Sequence, residues 1–213
     1  DAQEAGAAGL YGMTRFGQGY LSAATYFGAD KTNVSRSFGG YGYATVPLYG
    51  NTVAGRVEAG YTISFPEIQI TPLINFTPTK RWQNSATESV NYSGGQVSGM
   101  TYEAQNNQSL PLLAGMQLDR DFVVPDGSII TGFFRAGYMH DFNTNREISK
   151  NLAFYPDTLF TSGGNYAVPN SAIVRMGVQH KVVEHVNVFA YGNTQLASRL
   201  QSFDGTAGFM INW

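Results

Sequence analysis

The 213-residue chain predicts an all-β fold: a transmembrane antiparallel β-barrel of the outer-membrane type, to which it contributes about nine strands. Three observations point there. Apolar and polar residues alternate over runs long enough to cross a membrane at a tilt. The connections between those runs alternate short and long. The chain closes on an amphipathic segment, Thr206 to Trp213, with Ala207, Phe209, Ile211 and Trp213 on one face. A final barrel strand faces lipid on one side and seats an aromatic at the membrane interface, which is the pattern of this segment.

The alternating runs predict strands over 5–15, 19–29, 52–64, 67–80, 103–119, 128–142, 168–181, 185–196 and 204–213. In the third, Val53, Gly55, Val57, Ala59, Tyr61, Ile63 and Phe65 oppose Ala54, Arg56, Glu58, Gly60, Thr62 and Ser64. In the fourth, Ile68, Ile70, Pro72, Ile74 and Phe76 oppose Gln69, Thr71, Leu73, Asn75 and Thr77. Ile130, Gly132, Phe134, Ala136, Tyr138 and Phe142 oppose Thr131, Phe133, Arg135, Gly137, Met139 and Asp141. Val174, Met176 and Val178 oppose Arg175, Gly177, Gln179 and Lys181. A period of two is the strand period, and a tilted transmembrane strand needs ~9–11 residues.

Cost decides which face meets lipid. An Arg at the lipid-facing midplane costs ~2–4 kcal/mol, so Arg56, Arg135 and Arg175 are expected to point into the lumen. Glu58 and Asp119 share the polar faces and are expected to partner them. A soluble barrel or sandwich, with its apolar face inside, is the competing fold. Short turns are predicted at Phe16–Gly19, Phe65–Glu67, Arg120–Gly127 and Val183–His185. Long external segments are predicted at Ala29–Gly50, Arg81–Met100, Asn143–Asn165 and Ala197–Gly205. With the C-terminus at the periplasmic side, each connection falls on its expected side. Nine antiparallel strands cannot close without a parallel seam, so the chain reads as N-terminally incomplete, with missing strands expected to pair with its edge.

Composition removes whole classes of function. The near balance of 13 Lys+Arg and 15 Asp+Glu gives no reason to expect nucleic-acid binding. The absence of cysteine removes thiol catalysis, disulfides and Cys-ligated metals. No cofactor is expected, and no cluster has metal-ligand spacing. His140 and Asp141 are adjacent in a strand and point to opposite faces, so they cannot form part of a triad, and no catalytic residue is assigned. His140 and His180 fall on the lipid face and His185 in a turn. Lys80 and Arg81 beside Trp82 read as a solvated strand end, with contact to lipopolysaccharide phosphates as the sharper alternative.

Five stretches carry a family resemblance. Leu10-Tyr11-Gly12 through Tyr20-Leu21-Ser22-Ala23-Ala24 is similar to a mid-barrel hairpin. Ala54-Gly55-Arg56-Val57-Glu58-Ala59-Gly60-Tyr61 resembles S-G-R-x-E-x-G-Y, and Ile70-Thr71-Pro72-Leu73 the following L-T-P. Phe134-Arg135-Ala136-Gly137-Tyr138-Met139-His140-Asp141-Phe142 resembles A-R-x-x-W-x-H-E-F, and Gly205-Thr206-Ala207-Gly208-Phe209 the final G-x-x-G-x-x-Y-x-F/W. In order and spacing they resemble the C-terminal translocator domain of bacterial autotransporters (type V secretion). That resemblance implies a twelve-strand barrel of which residues 1–213 supply strands four to twelve, with a pore helix linking the lumen to an N-terminal passenger.

The implied function is an outer-membrane translocator that anchors its passenger and exports it to the cell surface. The implied partners are outer-membrane lipid and lipopolysaccharide, the barrel assembly machinery, and the chain's own passenger or missing strands. Candidates for lumen or passenger contact are Arg56, Glu58, Asp119, Arg135 and Arg175, against the plainer role of charges that only brace the wall. Ala207, Phe209, Ile211 and Trp213 are the expected assembly signal. The alternatives are a porin or channel without a passenger and, behind it, a barrel-embedded hydrolase.

Overall fold

Each alternating run of the sequence becomes a strand of one antiparallel meander. The structure, a computed structural model, describes residues 2–125, 127–163, 168–183 and 186–211. In chain order the strands are β1 (Ala2–Phe16), β2 (Gly19–Ser37), β3 (Gly42–Tyr61), β4 (Ile63–Ser64), β5 (Gln69–Phe76) and β6 (Thr79–Gln83). Next come β7 (Ala86–Thr87), β8 (Ser89–Tyr92), β9 (Met100–Tyr102), β10 (Gln105–Ser109), β11 (Pro111–Val123) and β12 (Ile129–Asp141). The last are β13 (Glu147–Leu152), β14 (Tyr155–Gly163), β15 (Asn170–Val183), β16 (Val186–Ala197) and β17 (Leu200–Ile211). The wall runs in the order β1-β2-β3-β5-β11-β12-β15-β16-β17. The third, fourth and fifth predicted strands are each broken once, the third at Thr62, whose N donates to Gln18 O at 2.8 Å. Pro78 has no N–H to give a ladder, and its carbonyl instead accepts from Gly55 N at 2.9 Å between β5 and β6. Thr77 N donates to Pro111 O at 3.0 Å where β10 gives way to β11.

The wall curls. Glu58 on β3 and Arg135 on β12 are separated by β5 and β11, a path of ~14 Å at ~4.8 Å per strand. Their side chains nevertheless meet at 2.9 Å, so they lie on a concave face. The convex face is apolar: Leu21, Phe27, Val53, Val57, Ile74, Phe76, Met116, Phe134, Met176, Val178 and Val188 are all exposed. Among the described residues only Ala44, Val46, Leu48, Ala54, Leu73 and Tyr102 form buried apolar core. A band of that extent facing water exceeds what soluble monomers expose, and this sets the soluble fold aside. Phe16, Tyr61 and Phe122 rim the band at one end, and Phe27, Trp82 and Tyr138 lie toward the other. Tyr61 and Asn51, the residue opposite Trp82, are ten positions apart on β3. At ~3.3 Å per residue and a ~40° tilt this is about 25 Å, the height of a barrel's lipid belt.

The segments expected to be external are more ordered than their composition predicted. Ala29–Gly50 is not a loop but the continuation of the β2–β3 ladder up to Ser37↔Tyr43. Ala44, Val46 and Leu48 alternate there with Tyr43, Thr45, Pro47 and Tyr49, a strand signal inside a polar stretch. Parts of Arg81–Met100 and Asn143–Asn165 contribute to a second sheet, β14-β13-β9-β7; 164–165 lie outside the described residues. Ala197–Gly205 is also corrected: Ala197 pairs directly with Leu200, leaving a two-residue turn. The second sheet packs on the inner side of the tall hairpin through Val46, Leu48 and Tyr102, with Val34, Ala86 and Met100 against them. Glu88, its side chain 1% exposed, fixes this contact by accepting from Arg36 at 2.6 Å and from Met100 N at 2.9 Å.

Asp141 closes the end of β12 away from the Ile129 end, three residues past Tyr138 at the rim of the band, and gathers the flanking segments. It accepts from Ser109 Oγ at 2.6 Å, Leu110 N at 2.8 Å, Asn143 N at 3.0 Å and Arg146 Nη2 at 3.3 Å. Burial alone would raise its pKa, but those donors outweigh it and hold the carboxyl below the ordinary value of 3.8. A depressed folded pKa means that this stabilisation is complete above the unfolded value and is lost as pH falls through the folded one. Acidification below 3.8 is therefore expected to loosen the segments that Asp141 gathers before the wall. Limited proteolysis within 143–163 across a pH series with an acid-active protease checks this, and the pH effect should vanish in Asp141→Asn.

Candidate functional site in the lumen

A charged hub centred on Glu58 stands on the concave face. Glu58 Oε1 accepts from Tyr20 Oη at 2.8 Å and Arg135 Nη2 at 3.3 Å. Glu58 Oε2 accepts from Arg56 Nη2 at 2.6 Å, Arg135 Nη1 at 2.9 Å and Asn75 Nδ2 at 3.0 Å. The hub thus ties β2, β3, β5 and β12 together across the curl. Charge-assisted bonds of this kind are about twice as strong as neutral ones. Glu58 and Arg135 are the enclosed partners, with side chains 6% and 16% exposed, whereas Arg56 is 43% exposed toward the open lumen.

A second arm extends along β11. Arg135 Nε donates to Gln117 Oε1 at 2.8 Å, and Gln117 Nε2 donates to Asp119 Oδ1 at 2.8 Å. Asp119 therefore joins the hub through Gln117 rather than by an ion pair with an arginine. Arg175 stands apart: it is the cross-strand partner of Arg135, but its guanidinium lies over the Tyr191 ring at 4.6 Å. The stacking geometry accommodates a second cation beside Arg135 without a carboxylate.

Four of the five lumen candidates, Arg56, Glu58, Asp119 and Arg135, thus belong to one network, and Arg175 faces the same lumen from the next strand. Tyr20, Asn75 and Gln117 complete the network and were not singled out from the sequence. Tyr20 had a legible signal. It pairs directly with Gly60, where an added Cβ would lie 2.5 Å from the Tyr20 ring. The missing side chain lets that ring lie across β3 and deliver its hydroxyl to Glu58. Below the hub opens a polar concavity of about 910 Å³, bounded by Arg15, Thr62, Thr71, Asp119, Asp121 and Thr131 among others.

His140 Nδ1 lies 2.7 Å from Asn170 Oδ1, while Asp141 bonds to Ser109 and Leu110 on the other face. His180 Nε2 lies 3.1 Å from Ser128 Oγ, and His185 lies outside the described residues. Arg81 turns inward to Asp30 at 2.7 Å. Among the described residues no group of three or more His, Cys, Asp or Glu could hold a metal ion. Ala207, Phe209 and Ile211 occupy alternate positions on β17; Trp213 lies outside the described residues.

A curled meander with an apolar convex belt and a charged concave hub defines an outer-membrane β-barrel wall. The chain belongs to the autotransporter β-domain family, whose model matches residues 2–193. It is an outer-membrane translocator for passenger export, and the β-domain of this family is not itself catalytic. No curated protein matches it in sequence. Among solved structures, the chain is similar to the translocator domain of the autotransporter NalP from Neisseria meningitidis, with a TM-score of 0.71 and 16% identity. That similarity covers 99% of this chain and 68% of the other. The transport unit of the autotransporter AIDA-I from Escherichia coli aligns over 99% of this chain and 89% of its own, with a TM-score of 0.37 and 8% identity.

Proposed function

We propose that the concave face centred on Glu58 and Arg135 is the surface that meets the passenger segment during export. One observation carries this reading: a charged hub braced by a fully bonded Glu58 stands directly over a polar concavity of about 910 Å³. An extended chain in transit presents unpaired backbone N–H and C=O groups, which need polar partners where bulk water is scarce. Arg56, the most exposed member of the hub, and Arg175 offer donors to passing carbonyls, while Asp119 offers an acceptor to passing amides. The hub's internal bonds hold these groups at fixed height, so the wall does not collapse around the cargo.

In this reading residues 1–213 form an N-terminally incomplete β-domain whose edge strand β1 pairs with further strands of the same barrel. The C-terminal end of β17 faces the periplasm, the Phe16–Gly19 turn lies on that side, and the β2–β3 tower stands outside. Ala207, Phe209, Ile211 and Trp213 are the segment offered to the assembly machinery, and Lys80 with Trp82 lies at the level of the lipopolysaccharide phosphates. The chain itself carries no catalytic step.

The test uses the absence of native cysteine in this chain. Single cysteines at Asp119 on the concave face and at Met176 on the convex face are placed in the full-length protein, with a cysteine series along the segment that precedes the barrel. Disulfide capture in living cells is expected from position 119 and not from 176. Equal capture from both positions, or from 176 alone, overturns the reading. A membrane-impermeant maleimide should label Asn91→Cys but not Pro125→Cys on intact cells; the reverse pattern inverts the orientation.

A further inference from the structure

Near one end of the wall the convex face carries a charged side chain with no part in the proposed export path. Parity along β11 places Met116, Leu118, Arg120 and Phe122 outward, opposite Ala136, Phe134, Gly132 and Ile130 of β12. Among the described residues, Arg120 is the only Arg or Lys on that face in the half of the wall nearest the Phe16–Gly19 and Val124–Ser128 turns. It lies three positions before the end of β11. Such a placement approaches the interface, where an outward arginine costs ~0–1 kcal/mol rather than the midplane penalty.

Its surroundings are shaped. Arg120 Nη2 donates to Glu67 Oε2 at 3.2 Å, with the two side chains 53% and 79% exposed. The guanidinium lies 5.4 Å from the centre of the Phe122 ring. That ring leans over Gly132, where an added Cβ would meet it at 3.1 Å. Beside it runs an apolar groove of about 420 Å³ bounded by Leu118, Phe122, Gly132, Phe134, Met176 and Val178. Arg120 also bounds this groove, and with Glu67 it borders the polar concavity of the lumen, so the ion pair stands on the rim between groove and lumen.

We propose that this is a binding site for one zwitterionic glycerophospholipid bearing a primary ammonium, of the phosphatidylethanolamine class, in the leaflet facing the turns. Its acyl chain lies in the groove. Its phosphate takes guanidinium N–H groups of Arg120: five are available, and the bond to Glu67 uses one. Its ammonium donates to Glu67. An anionic head without an ammonium would satisfy Arg120 but oppose Glu67, and a trimethylated ammonium cannot donate to the carboxylate.

Lipid selection by the full-length protein, measured by native mass spectrometry from detergent micelles, tests this. Phosphatidylethanolamine, phosphatidylglycerol and phosphatidylcholine of identical acyl chains are titrated in turn. One phosphatidylethanolamine is expected to be retained, with about fivefold preference over either competitor, the fold-change of a single exposed charge contact. Arg120→Gln should weaken phosphatidylethanolamine and phosphatidylglycerol alike. Glu67→Gln should abolish the preference among the three. Gly132→Leu should remove retention by filling the groove while the barrel keeps its heat-modifiable mobility. Retention unchanged in Arg120→Gln, or equal affinity for all three heads in the native protein, overturns the proposal. The leaflet assignment rests on the proposed orientation. Micelle binding does not depend on orientation, so an inverted maleimide pattern would move the site to the other leaflet without touching its lipid preference.

Discussion

Glu58→Gln is expected to be the most damaging single substitution in the wall. The carboxylate receives donors from Tyr20, Arg56, Asn75 and Arg135. A carboxamide keeps one acceptor oxygen and turns a donor toward guanidinium groups that are themselves only donors. Arg135, its side chain 16% exposed, then remains enclosed without its counter-charge. Removing one partner of an enclosed pair costs about 3–5 kcal/mol. Urea unfolding in lipid vesicles should show that loss. Arg56→Gln should cost far less, about 1 kcal/mol or below, because Arg56 is 43% exposed and water screens its bond. Asp119→Asn removes a partner that reaches the hub only through Gln117 and should also be mild. A Glu58→Gln/Arg135→Gln double variant should recover part of the loss, since residues in contact are not additive. If Glu58→Gln costs no more than Asp119→Asn, the hub is not what holds the curl.

Most of the wall was legible because lipid imposes a strict period. Arg56, Arg135 and Arg175 each interrupt an apolar alternation on its polar side, so the cost of an outward charge settles the direction of three strands at once. Arg120 shows the limit of that argument. It sits in register with the apolar residues of β11, and only its nearness to the strand end makes the outward direction cheap. The half of the molecule that carries the tall β2–β3 hairpin is harder to read. Ala44, Val46 and Leu48 alternate as well as any wall strand, but the surrounding Asn, Ser, Gly and Lys gave a loop composition. What they pack on, Tyr102 and Met100, comes from a distant segment that periodicity does not locate. The same limit hid Tyr20, Asn75 and Gln117. Each is an ordinary polar residue on an inward face, and its role appears only once strand register brings it to Glu58. Register also decided between the candidates: it set Arg175 opposite Arg135, too many cations for one carboxylate, and stacking on Tyr191 is the outcome.

The second large effect is expected at Gly115 and Gly137, and it acts on the same hub from a distance. The two glycines are direct partners on β11 and β12, both on the concave face. A Cβ on Gly115 would lie 2.5 Å from Ala136 O and 2.9 Å from Gly137 Cα. A Cβ on Gly137 would lie 2.8 Å from Ala114 O. These obstacles are main chain, so no rotamer change relieves them. Only separation or uncoiling of the two strands does, and Gly115→Val or Gly137→Val should cost about 3 kcal/mol, the upper range for overpacking. Gly208→Ala meets the Phe189 ring at 2.8 Å instead, a side chain that can swing, and should be milder. Gly192→Ala, with nothing nearer than 3.9 Å, should be close to neutral. Uncoiling β11 from β12 lengthens the path from β3 to β12 and draws Arg135 away from Glu58. The Gly115→Val background should therefore already lack much of the hub's stabilisation, and adding Glu58→Gln should cost clearly less there than in the native chain. Strict additivity of the two losses would mean that the glycine pair sets local packing only, and that the curvature bringing Arg135 to Glu58 comes from elsewhere in the sheet.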